Sequence, residues 1–212
     1  MSWQKGSAMP ALVVVELLGP LVQGRDPIVT MLGEALASEG VEPRPGALEQ
    51  ARGMALRPAL ERLLEGHGRQ ELLEEVDRIE ARILGRLAGA GGGREAATGA
   101  VAGWQRLGRS GSRVAVVTNL PAQLAARLAG QAGIEVASWQ WIVAADGRGL
   151  PHPDRLLEWF EGRVRPGQVT AMVSSAAAAL AAASAGCGAV VAVGDGGAAM
   201  LADSVIEGLE QV

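Results

Sequence analysis

The apolar positions fall into two regimes along the chain. Leu12 to Leu17 is an apolar run of strand length, rich in β-branched valine, with Glu16 near its C-terminal end. From about residue 26 to 97 the period becomes helical. Val29, Leu32, Ala35 and Leu36 recur at that spacing, then Leu60, Leu63 and Leu64. Leu72, Leu73, Val76, Ile79, Ile83 and Leu87 continue it, with Glu and Arg on the other face. Ala90-Gly91-Gly92-Gly93 reads as a flexible break.

Beyond it strands and helices alternate. The pattern predicts a helix over Ala96 to Leu107, a strand over Arg113 to Thr118, and a helix over Ala122 to Gln131 opened by Pro121. Short extended pieces follow within Val136 to Val143, where strand parity would put Trp139 and Trp141 on one side with at least one in the core. Trp104 and Trp159 fall on helices and read as core. Pro153 opens a helix through Phe160. Val169 to Val173 is a strand, Ala176 to Ala185 a helix, Ala189 to Val193 a strand, and a short helix near Ala198 precedes an extended Ser204 to Ile206. Strands separated by single helices imply an α/β fold with a parallel sheet and right-handed crossovers.

Composition narrows the function classes. A length of 212 residues suits one well-buried core with a smaller insert. A net charge of −4 argues against nucleic acid, which calls for clustered positive charge. The Ala-rich stretch 176–185 is too short to cross a bilayer, and the first residues lack a signal-peptide core. The single cysteine, Cys187, reads as a small packing residue and fits a cytoplasmic protein. Of the 19 basic residues only Lys5 is a lysine, so no mechanism can use a lysine in the body of the chain.

Four segments, in order, resemble the motifs of the haloacid dehalogenase (HAD) superfamily of phosphohydrolases. Leu12 to Leu21 resembles its opening strand-Asp-x-Asp-Gly-Thr-Leu, with Glu16, Leu18 and Pro20 in place of the two Asp and the Thr. Val114 to Asn119 looks like the second motif, a strand ending in Thr and Asn. Gly149 to Asp154 resembles Gly-Lys-Pro-x-Pro-Asp, with Leu150 replacing the lysine. Ala171 to Ala176 resembles strand-Gly-Asp-Ser, with Ser174 for the Gly, Ser175 for the first Asp and Ala179 for the second. Within the superfamily the phosphonatase-like branch matches best, through Val14 to Val22, Ala185 to Gly194, Asp203 to Glu207 and, loosely, Arg52-Gly53-Met54. The resemblance implies a Rossmann-like sheet of strand order 5-4-1-2-3, with residues 1–24 and 98–212 as core and 25–97 as an inserted α-helical cap.

The resemblance also implies which groups are gone. Glu16 keeps the nucleophile's charge but adds a methylene, and a misplacement of roughly 1 Å can cost about 10²-fold. Leu18 has no proton to give, where general acid/base catalysis is typically worth ~10²–10⁴-fold. Ser175 and Ala179 remove the acidic half of a magnesium site, so Mg²⁺ is not expected and no cofactor is implied. Branch members form a Schiff base with a cap lysine, and this chain has none there.

The expected function is therefore that of a catalytically inactive binding or regulatory protein of HAD type. The alternative is a divergent phosphohydrolase using Glu16 with unusual helpers, Asp195 or Arg148. Thr118, Asn119, Ser174, Ser175, Glu16 and Arg148 are the candidate ligand-binding residues; a small phosphorylated or anionic ligand, a protein partner or a second copy through the cap are the candidate partners. No metal-binding residue, nucleic acid or membrane is expected. Glu16, without a metal beside Leu18, should have either a raised pKa or an arginine partner such as Arg148. Val193 to Gly197 reads as a turn rather than a phosphate cradle.

Overall fold

The computed structural model describes residues 9–24, 26–66, 72, 75–89, 95–194 and 196–212. The break at 90–93, Lys5, Leu73 and Asp195, all singled out above, lie outside the described residues. Six parallel strands form one sheet in the order β3-β2-β1-β4-β5-β6. They are β1 (Leu12–Glu16), β2 (Arg113–Thr118), β3 (Trp141–Val143), β4 (Val169–Val173), β5 (Ala189–Val193) and β6 (Ser204–Ile206). This is the anticipated order, with the extended Ser204–Ile206 added as an edge strand beside β5. All five residues of β1 and of β4 are buried, as strands covered on both faces must be. In register, Val14 of β1 lies between Ala115 of β2 and Ala171 of β4.

Between β1 and β2 runs a helical segment. Its helices are α1 (Pro27–Ser38), α2 (Ala47–Gln50), α3 (Leu56–Gly66) and α4 (Val76–Gly89), followed by α5 (Ala100–Arg109). The apolar stripes read from the sequence are the packed faces: Leu32 and Leu36 of α1, Leu60 and Leu64 of α3, and Ile79 and Ile83 of α4 are fully buried. Their polar faces carry exposed ion pairs, Arg57 with Glu61, Asp77 and Glu80, and Arg78 and Arg82 with Glu39. Pairs of that kind contribute about 0–1 kcal/mol each and define a solvated face. The chain leaves and re-enters the sheet at adjacent points. Val22 bridges Ala96, the Gln23 N–H donates to the Glu95 carbonyl, and the Ala97 N–H donates to the Leu21 carbonyl. This return takes up residues 95–97 in extended form, so the helix expected from Ala96 begins at Ala100.

The remaining helices are α6 (Ala122–Gln131), α7 (Asp154–Phe160) and α8 (Ala176–Ser184). One expectation about the tryptophans fails. Ser138–Gln140 forms a 3₁₀ turn before β3, so strand parity does not apply to Trp139, which is 58 % exposed. Trp104, Trp141 and Trp159 are partly buried against the core. The Trp104 indole N–H donates to the Glu135 carbonyl. Cys187 is also partly buried, and burial pushes its thiol up to about 11. Among the described residues no helix is long and apolar enough to cross a membrane.

Candidate functional site

Open parallel sheets place their sites outside the carboxyl ends of the strands. Here β1 ends at Glu16, whose side chain is 4 % exposed, and neighbouring β4 runs through Ser174 into α8. The Glu16 carboxylate reaches across to that turn. Its Oε2 accepts from the Ser174 N–H at 2.7 Å and the Ser175 N–H at 2.9 Å, and its Oε1 from the Ser175 hydroxyl at 2.6 Å. Ser175 is also the N-cap of α8, its Oγ accepting from the Ala178 N–H at 3.1 Å. Glu16 thus places its carboxyl oxygens at the start of α8, where a helix N-terminus attracts a bound anion. Ser174 is turned inward as well, its hydroxyl donating to the Leu18 carbonyl at 3.0 Å.

A second buried carboxylate lies nearby, one the sequence reading had not singled out. Asp26, also 4 % exposed, caps α1 by accepting from the Ile28 N–H through Oδ1. Its Oδ2 accepts from the Gly53 N–H at 3.1 Å and from the Asn119 side-chain amide at 3.0 Å. The same amide nitrogen of Asn119 donates to the Met54 carbonyl at 3.0 Å. Asp26-Pro27 carries the signature of a helix start; nothing local in the sequence marks its second role.

Over both carboxylates lies the segment Arg52–Ala55, between α2 and α3. Gly53 has φ +79, and a Cβ placed on it would collide with Oγ and Cβ of Ser175 and lie 3.3 Å from Glu16 Oε1. Only a residue without a side chain fits there. The Ala55 N–H donates to the Leu150 carbonyl at 2.7 Å, closing the far side. The space above Glu16 is filled by the chain's own backbone.

Burial pushes the Glu16 carboxyl above its ordinary 4.5, against the pull of its Ser175 and Ser174 donors, and the Asp26 charge adds to the rise. Burial likewise raises Asp26 above 3.8, opposed by Gly53, Asn119, Ile28 and Arg52. No buried side-chain polar atom among the described residues lacks a hydrogen-bond partner.

The expected arginine partner of Glu16 is absent from this network. Arg148 is exposed and pairs with Asp154 at 3.0 Å and Glu158 at 3.1 Å, so it neither neutralises Glu16 nor lines the site. Backbone donors and one hydroxyl take its place. Thr118 closes its own strand end, its hydroxyl accepting from the Leu120 N–H at 3.1 Å. Leu18, Leu150 and Ala179, which the resemblance sets at motif positions, are buried core residues.

These residues do not fit a magnesium ion. Mg²⁺ requires near-octahedral oxygen ligands, one or two of them carboxylates. Both oxygens of Glu16 and both of Asp26 already accept from N–H or O–H donors, and Gly53 takes up the adjoining space. Among the described residues no three His, Cys, Asp or Glu are grouped to hold a metal. Two cavities border these residues, one of about 760 Å³ lined in part by Asp26, Thr30, Glu34 and Arg52, and one of about 190 Å³ lined in part by Ser174, Gly19, Arg52, Glu207 and Glu210.

In sequence, no family model and no curated protein matches the chain. Solved structures do match in shape. A hydrolase from Pseudomonas syringae superposes with a TM-score of 0.77 at 18 % identity, over 94 % of each chain. A β-phosphoglucomutase from Clostridium difficile gives 0.72 at 15 % identity, over 96 % of this chain and 93 % of that one. A HAD family hydrolase from Deinococcus radiodurans R1, solved with bound phosphate and sodium, gives 0.62 at 21 % identity, over 97 % and 94 %. The fold is the HAD fold. Within it, the chain fills the space at the β1 and β4 ends with its own side chains and backbone.

Proposed function

We propose that this chain is a HAD-superfamily protein of the phosphonatase-like branch that has lost phosphotransfer and acts by binding. The observation that carries the reading is the state of Glu16: each carboxylate oxygen already accepts from a donor of the β4–α8 turn. A nucleophile for phosphoryl transfer must be aimed at open space and supported by cations on the developing charge. Glu16 faces neither. In this reading the helical segment is the cap of the fold. Binding uses surfaces other than the filled site.

Catalysis is tested with a panel of phosphate esters at millimolar Mg²⁺. The native chain should turn over none of them faster than Glu16→Gln, a variant that keeps the hydrogen-bond frame. Metal-dependent turnover by the native chain, abolished in Glu16→Gln, would overturn the reading in favour of a divergent hydrolase.

A further inference from the structure

We propose that the helical segment carries a site of its own, a cationic cavity between α2 and α3 that takes a small organic anion bearing a phosphate or carboxylate group. The cavity has a volume of about 250 Å³. Arg44, Gln50 and Arg62 stand around it, and Ala47, Ala51 and Leu63 supply apolar wall, with Ala51 and Leu63 buried. Its lining lies entirely within residues 44–66, so no residue of the sheet layer takes part. The inference therefore holds whether or not Glu16 has lost its chemistry.

Charge singles this cavity out. The two cavities that border Asp26 and Ser174 set Arg52 against several carboxylates, Asp26, Glu34 and Glu49 in one and Glu207 and Glu210 in the other. Here two guanidinium groups face the same space and no carboxylate lines it. Arg62 also differs from its neighbours in the helical segment. Arg57, Arg78, Arg82 and Arg86 each pair with glutamate or aspartate. Arg62 is exposed and forms no ion pair among the described residues.

The donors set the ligand class. A guanidinium presents a planar fork of N–H groups that matches carboxylate and phosphate oxygens, and such charge-assisted bonds are about twice as strong as neutral ones. Arg44 precedes α2 and Arg62 lies on α3, so an anion held by both is gripped from two separate stretches of chain. The Gln50 amide adds two further donors. The alanine and leucine wall suits a short carbon body beside the charged group. A volume below the roughly 300–1,000 Å³ of drug-sized pockets keeps the occupant small.

Amide chemical-shift mapping by NMR tests the site. Inorganic phosphate, glycerol phosphate and succinate are titrated to millimolar levels at constant ionic strength, with sodium chloride as the reference. At least one of them should shift the Gln50, Ala51 and Leu63 amides saturably, while those of Val14, Val15, Ala171 and Met172 stay in place. Saturation by the phosphates alone would assign the site to a phosphate group, and saturation by succinate alone to carboxylate. In Arg62→Gln the apparent Kd should rise about tenfold or more, the factor expected when a hydrogen bond to a charged group is lost. Arg62 is exposed, so its replacement leaves the fold intact, which the same spectra show. Arg52→Gln, which alters the cation of the other two cavities, should bind as the native chain does. The proposal is overturned if no probe gives a saturable shift, or if saturation is unchanged in both Arg62→Gln and Arg44→Gln. Shifts centred on Gly19, Thr30 or Ser174 and abolished in Arg52→Gln would overturn it too.

Discussion

Glu16→Ala is expected to lower the unfolding free energy by about 2–6 kcal/mol, seen as a lower denaturant midpoint at unchanged slope. The substitution strips the acceptor from two buried N–H groups, those of Ser174 and Ser175, and each orphaned donor costs about 1–3 kcal/mol. The Ser175 hydroxyl loses its acceptor as well. Glu16→Gln should behave differently. Its carbonyl oxygen can accept both N–H groups while its amide donates to Ser175 Oγ, so the frame survives without the charge. A residue kept for chemistry would show the reverse ranking of interest, with stability indifferent and activity lost in both.

The Gln variant also carries a pH signature. Because burial holds the folded-state carboxyl above 4.5, the protonated form is the one favoured by folding. That contribution is fully present below 4.5 and is lost as the pH rises through the folded-state value. The stability of Glu16→Gln relative to the native chain should therefore increase from pH 4.5 towards neutrality. A constant difference across that range would mean that Glu16 is not buried as described.

Gly53→Ala is the second large effect, expected to cost about 2–5 kcal/mol. A left-handed backbone at φ +79 costs a residue with a Cβ about 1–2 kcal/mol. Forcing that methyl into Ser175 adds about 1–3 kcal/mol of overpacking. Gly46 separates the two contributions. It has φ +80, yet a Cβ there meets nothing within 4 Å, so Gly46→Ala should show only the first cost. Denaturant unfolding of the two variants side by side measures the difference. Equal losses would contradict the close approach of Gly53 to Ser175.

What was legible in the sequence follows from which forces are local. The valine run of β1, the stripes of α1, α3 and α4, and the strand–helix alternation after residue 113 are periodic signals, and each became the expected element. The burial of Leu18, Leu150 and Ala179 was equally plain, because apolar side chains beside buried strands pack into the core. The partners of Glu16 were not. Ser174 and Ser175 lie 158 and 159 residues away, and only the pairing of β1 with β4 brings them together. Asp26 looked like a helix cap and no more, since Gly53 and Asn119 stand 27 and 93 residues from it. Arg148 misled for a related reason. It is two residues from Leu150 in sequence, but its side chain is drawn to the carboxylates of α7. Trp139 misled because a 3₁₀ turn has no two-residue alternation.

Arg52-Gly53-Met54 resembled a family segment only loosely in sequence, yet the backbone of Gly53 is what closes the site. A glycine whose value lies in a missing Cβ leaves no chemical trace until the opposing surface is known.

Closure of the site around Glu16 is tested most directly by a crystal of the protein soaked with Mg²⁺ and phosphate. The expected result is the Glu16 carboxylate still bonded to Ser174 and Ser175, Gly53 in place above it, and neither ion at the end of β1. A magnesium ion on a Glu16 oxygen, or a phosphate seated there with the Arg52–Ala55 segment displaced, would contradict it.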